Sequence, residues 1–370
     1  MTDFHEARAP IRDELDGLLK IVARLMKMLT RQGYLLEEQG VSYLAEAIMN
    51  RIAVICIAIA GAMVGTSACV AETYPTKPVR MIVPSIAGGN ADIQARYIAE
   101  RLSEALGKQF VVDNRGGAVG IIGIELAARS PADGYTVMLV ANTFTVAPSL
   151  FSKLPYDSVR DFQPVSLVGE TPLLFIGNTA VAANSVKEVI ALAKSRPGQL
   201  NYGTTGIGSP SHLGCAMFEL MAGVKLVHVP YKGMPASNLG VMTGQIQLGL
   251  PSVTSALQHV KVGKLKAFAI TTKSRSAHVP DIPTMDEAGV RGYEMSIWNG
   301  MVVPTGTPKA IVNRLHETIV QILRSPQAQE RYANVGAEIR YNSPEEFQAL
   351  IRAEMAKWAK VIKAAGIRVD

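Results

Sequence analysis

Short apolar runs alternate with helical patterns along the chain from residue 79 onward. Residues 79–84 are almost continuously apolar, which is typical of a buried parallel strand. Apolar side chains then recur at helical spacing up to Ala105, and further apolar runs follow at residues 110–114 and 136–142, with a helical pattern between them. This β-α-β-α-β order predicts a doubly wound α/β unit.

A second series of the same kind follows. Residues 172–178 and 265–272 are predicted to be strands that bracket further strand–helix repeats, and Ser343 precedes a C-terminal helical pattern. We therefore predict two doubly wound α/β domains joined by a hinge. Domain 1 comprises residues 72–171 and 297–370, and domain 2 comprises residues 172–296. In such a fold, ligands bind where loops leave the carboxyl ends of strands, so we expect a site in the cleft between the domains.

The amino-acid composition bears on which classes of function are expected. The chain has 370 residues, of which 48% are hydrophobic and 18% charged, enough for a large core. The sequence pI is near 9.1, but the basic residues do not cluster, so we expect no nucleic-acid partner. The three cysteines form no CxxC pair and the histidines are scattered, so we expect neither a metal nor a cofactor.

The N-terminal part predicts export. Residues 52–64 are uncharged and apolar, follow Arg51, and precede small residues. This pattern predicts a signal peptide at 49–71 and a periplasmic protein, with lipid attachment at Cys69 as an alternative. Residues 1–48 are charged, and the stretch RLMKMLTRQGYLLEEQG resembles a transposase fragment. We interpret 1–48 as an extraneous extension, either a fusion or a start upstream of the true initiator Met49.

The stretch VPSIAGGNAD ends a predicted strand and begins a helix. Its two glycines permit unusual backbone angles, and the first N–H groups of a helix have no partner within it. The stretch is therefore a candidate anion-binding loop, or else a structural turn. The stretch NYGTTGIGSPSHLG has the same build, and three more strands end in polar residues. The candidate ligand-binding residues are Ser85, Ala87, Gly88, Gly89, Asn90, Asp92, Asn142, Thr143, Thr204, Thr205, Gly206, Ser209, Ser211, His212, Tyr231 and Ser252.

These loops offer amides and hydroxyls rather than a paired acid and base. That chemistry favours binding over catalysis. Lys232, on the Tyr231 loop, has two interpretations: a carboxylate ligand or a solvated surface charge.

Eight motifs in order carry a family resemblance: PSIAGGNAD, DNRGGAVG, SPADGYT, LPYDSVRDFQPVSLV, LNYGTTGIGSPSHL, VHVPYKG, DIPTMDEAG and PTGTPKAIV. Together, from Tyr74 to Ile367, they resemble the Bug-type solute-binding receptors of tripartite tricarboxylate transporters. The resemblance implies a type II, Venus-flytrap fold and a monomer. It also implies a small carboxylate held by the loops at 85–90 and 204–209, largely through backbone amides and waters, and delivered to membrane permease subunits.

Three departures from the family pattern bear on the solute. Asn90 and Ala91 stand where the family usually has Pro and Thr, the loop at 114–120 lacks the usual proline, and Leu250 precedes Pro251 where an acidic or amide residue is common. We therefore expect an altered, more apolar pocket. The leading hypothesis is a carboxylate receptor that is not an enzyme. The alternatives are an enzyme on the same scaffold, a sensor uncoupled from transport, or a fusion product retained in the cytoplasm.

Overall fold

The computed structural model describes Lys20, Arg24 and residues 74–369. The chain separates into two units, Met1–Ala71 and Glu72–Asp370. The predictions of an N-terminal extension, a signal peptide and lipid attachment at Cys69 lie outside the described residues, apart from Lys20 and Arg24, which are helical and exposed. Among the helices that are described, none combines the length and the apolar character needed to cross a membrane.

The strands and helices of residues 74–369 alternate through most of the chain. The strands are β1 (Val79–Val83), β2 (Phe110–Asn114), β3 (Thr136–Ala141), β4 (Phe162–Pro172), β5 (Leu174–Asn178), β6 (Asn201–Thr204), β7 (Val227–Pro230), β8 (Leu248–Gly249), β9 (Leu265–Ile270) and β10 (Ser296–Pro304). The helices are α1 (Asn90–Leu106), α2 (Ile121–Ala128), α3 (Thr143–Leu150), α4 (Val186–Ser195), α5 (Pro210–Ala222), α6 (Met234–Met242), α7 (Val253–Lys261), α8 (Lys309–Leu323), α9 (Pro326–Asn334) and α10 (Pro344–Ala365).

The first sheet has the strand order β2-β1-β3-β10-β4. Strand β1 runs parallel to β2 and β3, whereas β10 is antiparallel to both of its neighbours, β3 and β4. Helices cover both faces, so the central strand β3 is apolar without alternation, and its residues Val137 to Val140 are fully buried. We call this sheet and the helices packed on it lobe 1.

The second sheet has the order β7-β6-β8-β5-β9. Here β6 is parallel to β7 and β8, and β5 is antiparallel to β8 and β9. We call this sheet and its helices lobe 2. The two helix-covered sheets confirm the predicted fold class of two α/β domains.

Two strands and one helix connect the lobes. Strand β4 ends at Pro172 and β5 begins at Leu174, so a single residue separates the two sheets, and the chain returns to lobe 1 where β10 begins. Helix α10 begins with a capping box between Ser343 and Glu346. Its Phe347 packs in a lobe 1 cluster, whereas its Trp358 packs in the main cluster of lobe 2. The C-terminal helix therefore packs on both lobes.

Five segments differ from the sequence-based prediction. No strand was predicted at residues 162–172, which form the eleven-residue strand β4. Helix α3 follows β3 directly, although Pro148 within it obscures its pattern. Helices α7 and α9 were not predicted, and the apolar run at 245–252 forms only the two-residue strand β8, because Ser252 is already the N-cap residue of α7.

Candidate functional site

Five loops gather at the carboxyl edges of the two sheets. Strands β1 and β3 are parallel, so the loops after Val83 and Ala141 leave the same edge of lobe 1. Strands β6, β7 and β8 are parallel too, so the loops after Thr204, Pro230 and Gly249 share one edge of lobe 2. The candidate residues predicted from the sequence thus fall into two groups, one on each lobe.

The two edges approach each other at two places. The backbone of Gly208, on the β6–α5 loop, lies against the Leu150 side chain of α3, where an added Cβ would come within 2.6 Å of Leu150 Cδ1. At the second place Thr254 of α7 leaves no room for a Cβ at Gly336. These contacts bring lobe 1 and lobe 2 together beside the candidate loops. Sequence reasoning missed both, because the close partner of each glycine is distant in the chain.

The loop between β1 and α1 presents unpaired backbone donors. Within the described residues, Gly88 N–H donates to Asp92 Oδ2 at 2.8 Å, and Ile93 N–H donates to the Gly89 carbonyl at 3.0 Å. The amides of Ala87 and Gly89, and those of the first three residues of α1, have no hydrogen-bond acceptor in this part of the chain. Five unpaired N–H groups at a helix N-terminus form a candidate anion-binding site, since the helix dipole acts in the same direction.

Asp92 shapes this loop from the inside. Its side chain is 2% exposed, and Oδ2 accepts hydrogen bonds from Gly88 N–H and from Arg96 Nε at 3.0 Å. Burial raises the pKa of Asp92, but hydrogen bonds from Arg96, Gly88 and Asn114 outweigh burial and hold the pKa below its ordinary value. The Asp92 carboxylate is thus bonded within lobe 1, where Arg96 offsets its charge, and its role as a solute ligand stays a prediction.

The Asn90 side chain also turns away from the loop surface. Its Nδ2 donates to Thr171 Oγ1 at 2.9 Å, and its Oδ1 accepts from Asn299 Nδ2 at 2.7 Å and Gln94 Nε2 at 3.3 Å. The amide of Asn90 is therefore occupied by lobe 1. The donor of Asn90 that has no partner among the described residues is its backbone N–H.

The loop between β6 and α5 differs, because it satisfies most of its own donors. Thr205 N–H donates to Ser211 Oγ at 3.3 Å, Gly206 N–H to Thr204 Oγ1 at 3.2 Å, and Gly208 N–H to His212 Nδ1 at 3.0 Å. Ser209 caps α5 by accepting from His212 N–H at 3.3 Å. The N–H groups of Ile207 and Ser211 and the Thr205 hydroxyl have no partner among the described residues, so this loop also keeps unpaired donors.

His212 lies behind this loop in an aromatic stack. Its ring is 3.9 Å from that of His228 and nearly parallel to it at 11°. The Tyr202 ring lies beside this pair, 5.3 Å from His228 and 6.4 Å from His212. Burial, and to a lesser extent His228, lower the pKa of His212 to about 4. Since His212 Nδ1 accepts from Gly208, we assign the proton of the neutral ring to Nε2.

Two other candidates have partners within the fold. Asn142 is 3% exposed and joins β3 to β10, donating to the Ser296 carbonyl at 3.0 Å and accepting from Trp298 N–H at 3.1 Å. The Tyr231 hydroxyl donates to Gln245 Oε1 at 3.1 Å, and its ring packs over Gly203 and Gly240. These contacts argue against solute roles for the side chains of Asn142 and Tyr231.

The remaining two candidates sit at helix starts. Thr143 begins α3, and Ser252 Oγ pairs with the hydroxyls of Thr254 at 3.3 Å and Ser255 at 3.1 Å. Leu250, one of the three departures from the family pattern, is 1% exposed and packs on Gly214 in the core of lobe 2. Its side chain therefore does not line the surface of these loops, and the more apolar pocket stays a prediction.

The comparisons with known proteins agree with this geometry. The family model described as tripartite tricarboxylate transporter family receptor matches residues 94–367. Protein BugT of Bordetella pertussis is 35% identical over 301 residues, covering 81% of this chain and 92% of that relative.

Two solved structures extend the likeness to the fold. The R. palustris protein Rpa4515 with adipate is 36% identical and superposes with a TM-score of 0.69, covering 80% of this chain and all of that one. MatC from Rhodopseudomonas palustris with bound malate is 29% identical, with a TM-score of 0.66, covering 78% of this chain and all of that one. The chain therefore belongs to the receptor family of the tripartite tricarboxylate transporters.

Proposed function

We propose that this protein is a periplasmic receptor that captures a small carboxylate between its two lobes and delivers it to the permease of a tripartite transporter. The observation that carries the proposal is the concavity of five unpaired N–H groups on the β1–α1 loop, with the Ser211 N–H and Thr205 hydroxyl on the facing lobe. Hydrogen bonds from neutral donors to a carboxylate are stronger than those between neutral groups.

The donor set favours a carboxylate over a phosphate. Asp92 places a second negative charge beneath the loop, and Arg96 neutralises it through a single ion pair. Such a site suits the modest charge of one carboxylate group, whereas a phosphate dianion would meet stronger repulsion. The relatives with adipate and with malate hold dicarboxylates, so we infer a dicarboxylate as the solute class.

Binding should appear as a melting-temperature shift in protein purified from the periplasm and freed of ligand, with Glu72 established as its first residue by mass spectrometry. Adipate, malate, citrate and acidic amino acids form the panel. A solute at 100 times its dissociation constant stabilises the folded state by about 2.7 kcal/mol. A panel without any shift would contradict the receptor function. Consumption of a panel member would support the alternative of an enzyme, and a protein that starts at Met1 would contradict export.

Replacing Ala91 with proline should remove one solute donor and little else. Ala91 is the second residue of α1, a position that proline already occupies in α6 as Pro235. A hydrogen bond to a charged group contributes about 1.5–3 kcal/mol, so we expect the dissociation constant for the bound carboxylate to rise roughly 10- to 100-fold. Calorimetric titration measures the change.

Ala310→Pro is the matched control, because Ala310 is the exposed second residue of α8 and its N–H is likewise unpaired among the described residues. We expect this variant to bind the solute like the parent protein and both variants to melt close to it. Unchanged affinity in Ala91→Pro would show that the β1–α1 amides do not hold the solute.

A further inference from the structure

Asn90 connects the candidate anion-binding loop to two strands of lobe 1. It is the first residue of α1, and its side-chain amide makes the hydrogen bonds to Thr171, Asn299 and Gln94 described above. The three partners are 1%, 0% and 2% exposed, so the contacts lie inside the protein. Buried polar contacts of this kind fix the relative position of the elements that carry them.

The strands in question are the two that cross between the lobes. Thr171 is the last residue but one of β4, immediately before the chain enters lobe 2, and Asn299 lies in β10, which begins as the chain returns. The two strands are adjacent and antiparallel, with Thr171 opposite Ile297. Asn90 has its backbone N–H in the candidate anion-binding loop. Its side chain is bonded to both strands that cross between the lobes.

The amide cluster has unused hydrogen-bonding capacity. Asn299 Oδ1 and Gln94 Oε1 are buried, and neither accepts a hydrogen bond within the described residues. When the helix and strands that carry such a cluster shift, an amide donor that leaves one acceptor can bond to an unused one. In a fully paired cluster the same shift would break hydrogen bonds without replacing them. The contacts around Asn90 are thus suited to two elements that move relative to each other.

We propose that Asn90 is a positioning residue that couples solute binding to the hinge. This inference rests on the proposed receptor function. A carboxylate held by the first N–H groups of α1 fixes the start of that helix, and the Asn90 amide passes this constraint to β4 through Thr171 and to β10 through Asn299. The side chain acts without touching the solute, through the strands that set the angle between the lobes.

Hydrogen exchange with mass spectrometry tests the coupling, with adipate as the probe, or malate if adipate causes no melting shift. Asn90→Ala removes all three side-chain contacts but keeps the backbone N–H, and Thr171→Val removes one. Ser166→Ala is the matched control, because the buried Ser166 lies in the same strand β4 but bonds the Asn342 carbonyl at 3.0 Å, remote from the loop.

We expect the dissociation constant to rise about 10-fold in Asn90→Ala, within the usual range of coupling effects, and less in Thr171→Val. At saturating probe, the protection that the solute confers on peptides from β4 and β10 should fall in both variants and persist in Ser166→Ala. A purely local role for Asn90 would weaken binding but leave that protection intact at saturation, and this result would overturn the coupling alone. A parent protein that binds neither probe nor any other carboxylate would overturn the proposed function, and the coupling with it.

Discussion

Replacing Trp358 with alanine should lower the free energy of unfolding by about 3–5 kcal/mol, the usual cost of truncating a large buried aromatic side chain. Trp358 is fully buried in the half of α10 that packs on lobe 2, and its Nε1 donates to Glu354 Oε2 at 2.8 Å. The substitution opens a cavity and also deprives Glu354, 8% exposed, of a hydrogen-bond donor. Urea unfolding followed by circular dichroism measures the loss.

Trp358→Phe keeps most of the buried volume and isolates the lost indole donor, so its cost should be smaller, about 1–3 kcal/mol. Tyr341→Ala serves as the control, because Tyr341 is 40% exposed and lies over Arg324 on the surface. We expect this control to change stability by less than about 1 kcal/mol. A Trp358→Ala protein as stable as the control would show that α10 does not contribute to the core of lobe 2.

Acidification should destabilise the protein through His212. Its pKa is lowered from 6.5 to about 4 in the folded state, because burial and then His228 disfavour the charged ring. Between these pH values the unfolded chain binds a proton that the folded protein excludes, so stability rises with pH. The contribution of the neutral His212 to the free energy of unfolding is fully present above pH 6.5. It is lost as the pH falls towards 4, and the total loss is about 3 kcal/mol.

His212→Asn should remove this pH dependence. The Asn Oδ1 can accept the Gly208 N–H in place of Nδ1 but does not titrate. Urea unfolding at pH 7.0, 5.5 and 4.5 should therefore give a smaller loss in the variant, with a residual slope from His228, whose pKa burial also lowers. His259→Asn, on the partly exposed face of α7, is the control and should follow the parent. Parallel profiles for all three proteins would contradict the assignment to His212.

The sequence predicted the strands that are buried on both faces and the loops that follow them. Strands such as β1 and β3 are recognisable because helices cover both sides and leave no place for polar residues. The loops at Gly88 and Gly206 were recognisable for a related reason: both glycines adopt positive φ, at 80° and 125°, where other residues are strained. The fold class and the positions of the candidate loops therefore followed from local chemistry.

The directions of the polar side chains in the candidate loops did not follow from local chemistry. The sequence places Asn90 and Asp92 in the anion-binding loop, yet both side chains bond to partners within lobe 1, and Asn299 is more than two hundred residues away. The internal pairing of the β6–α5 loop was also hidden, because a serine or threonine pattern does not show whether its hydroxyls meet backbone or solute. Such choices depend on contacts that form only when distant segments meet.

The position of β10 has a consequence for how the protein is made. This strand lies between β3 and β4, although the 123 residues 173–295, which contain lobe 2 and its connections, are synthesised between β4 and β10. A growing chain that has completed β4 still lacks the strand with which β4 pairs, so only β2, β1 and β3 can form a sheet at that stage. Pairings between segments so far apart are slow to form, since a long loop must close first. Lobe 1 thus becomes whole only after residue 304 has been synthesised, which should delay its folding relative to lobe 2.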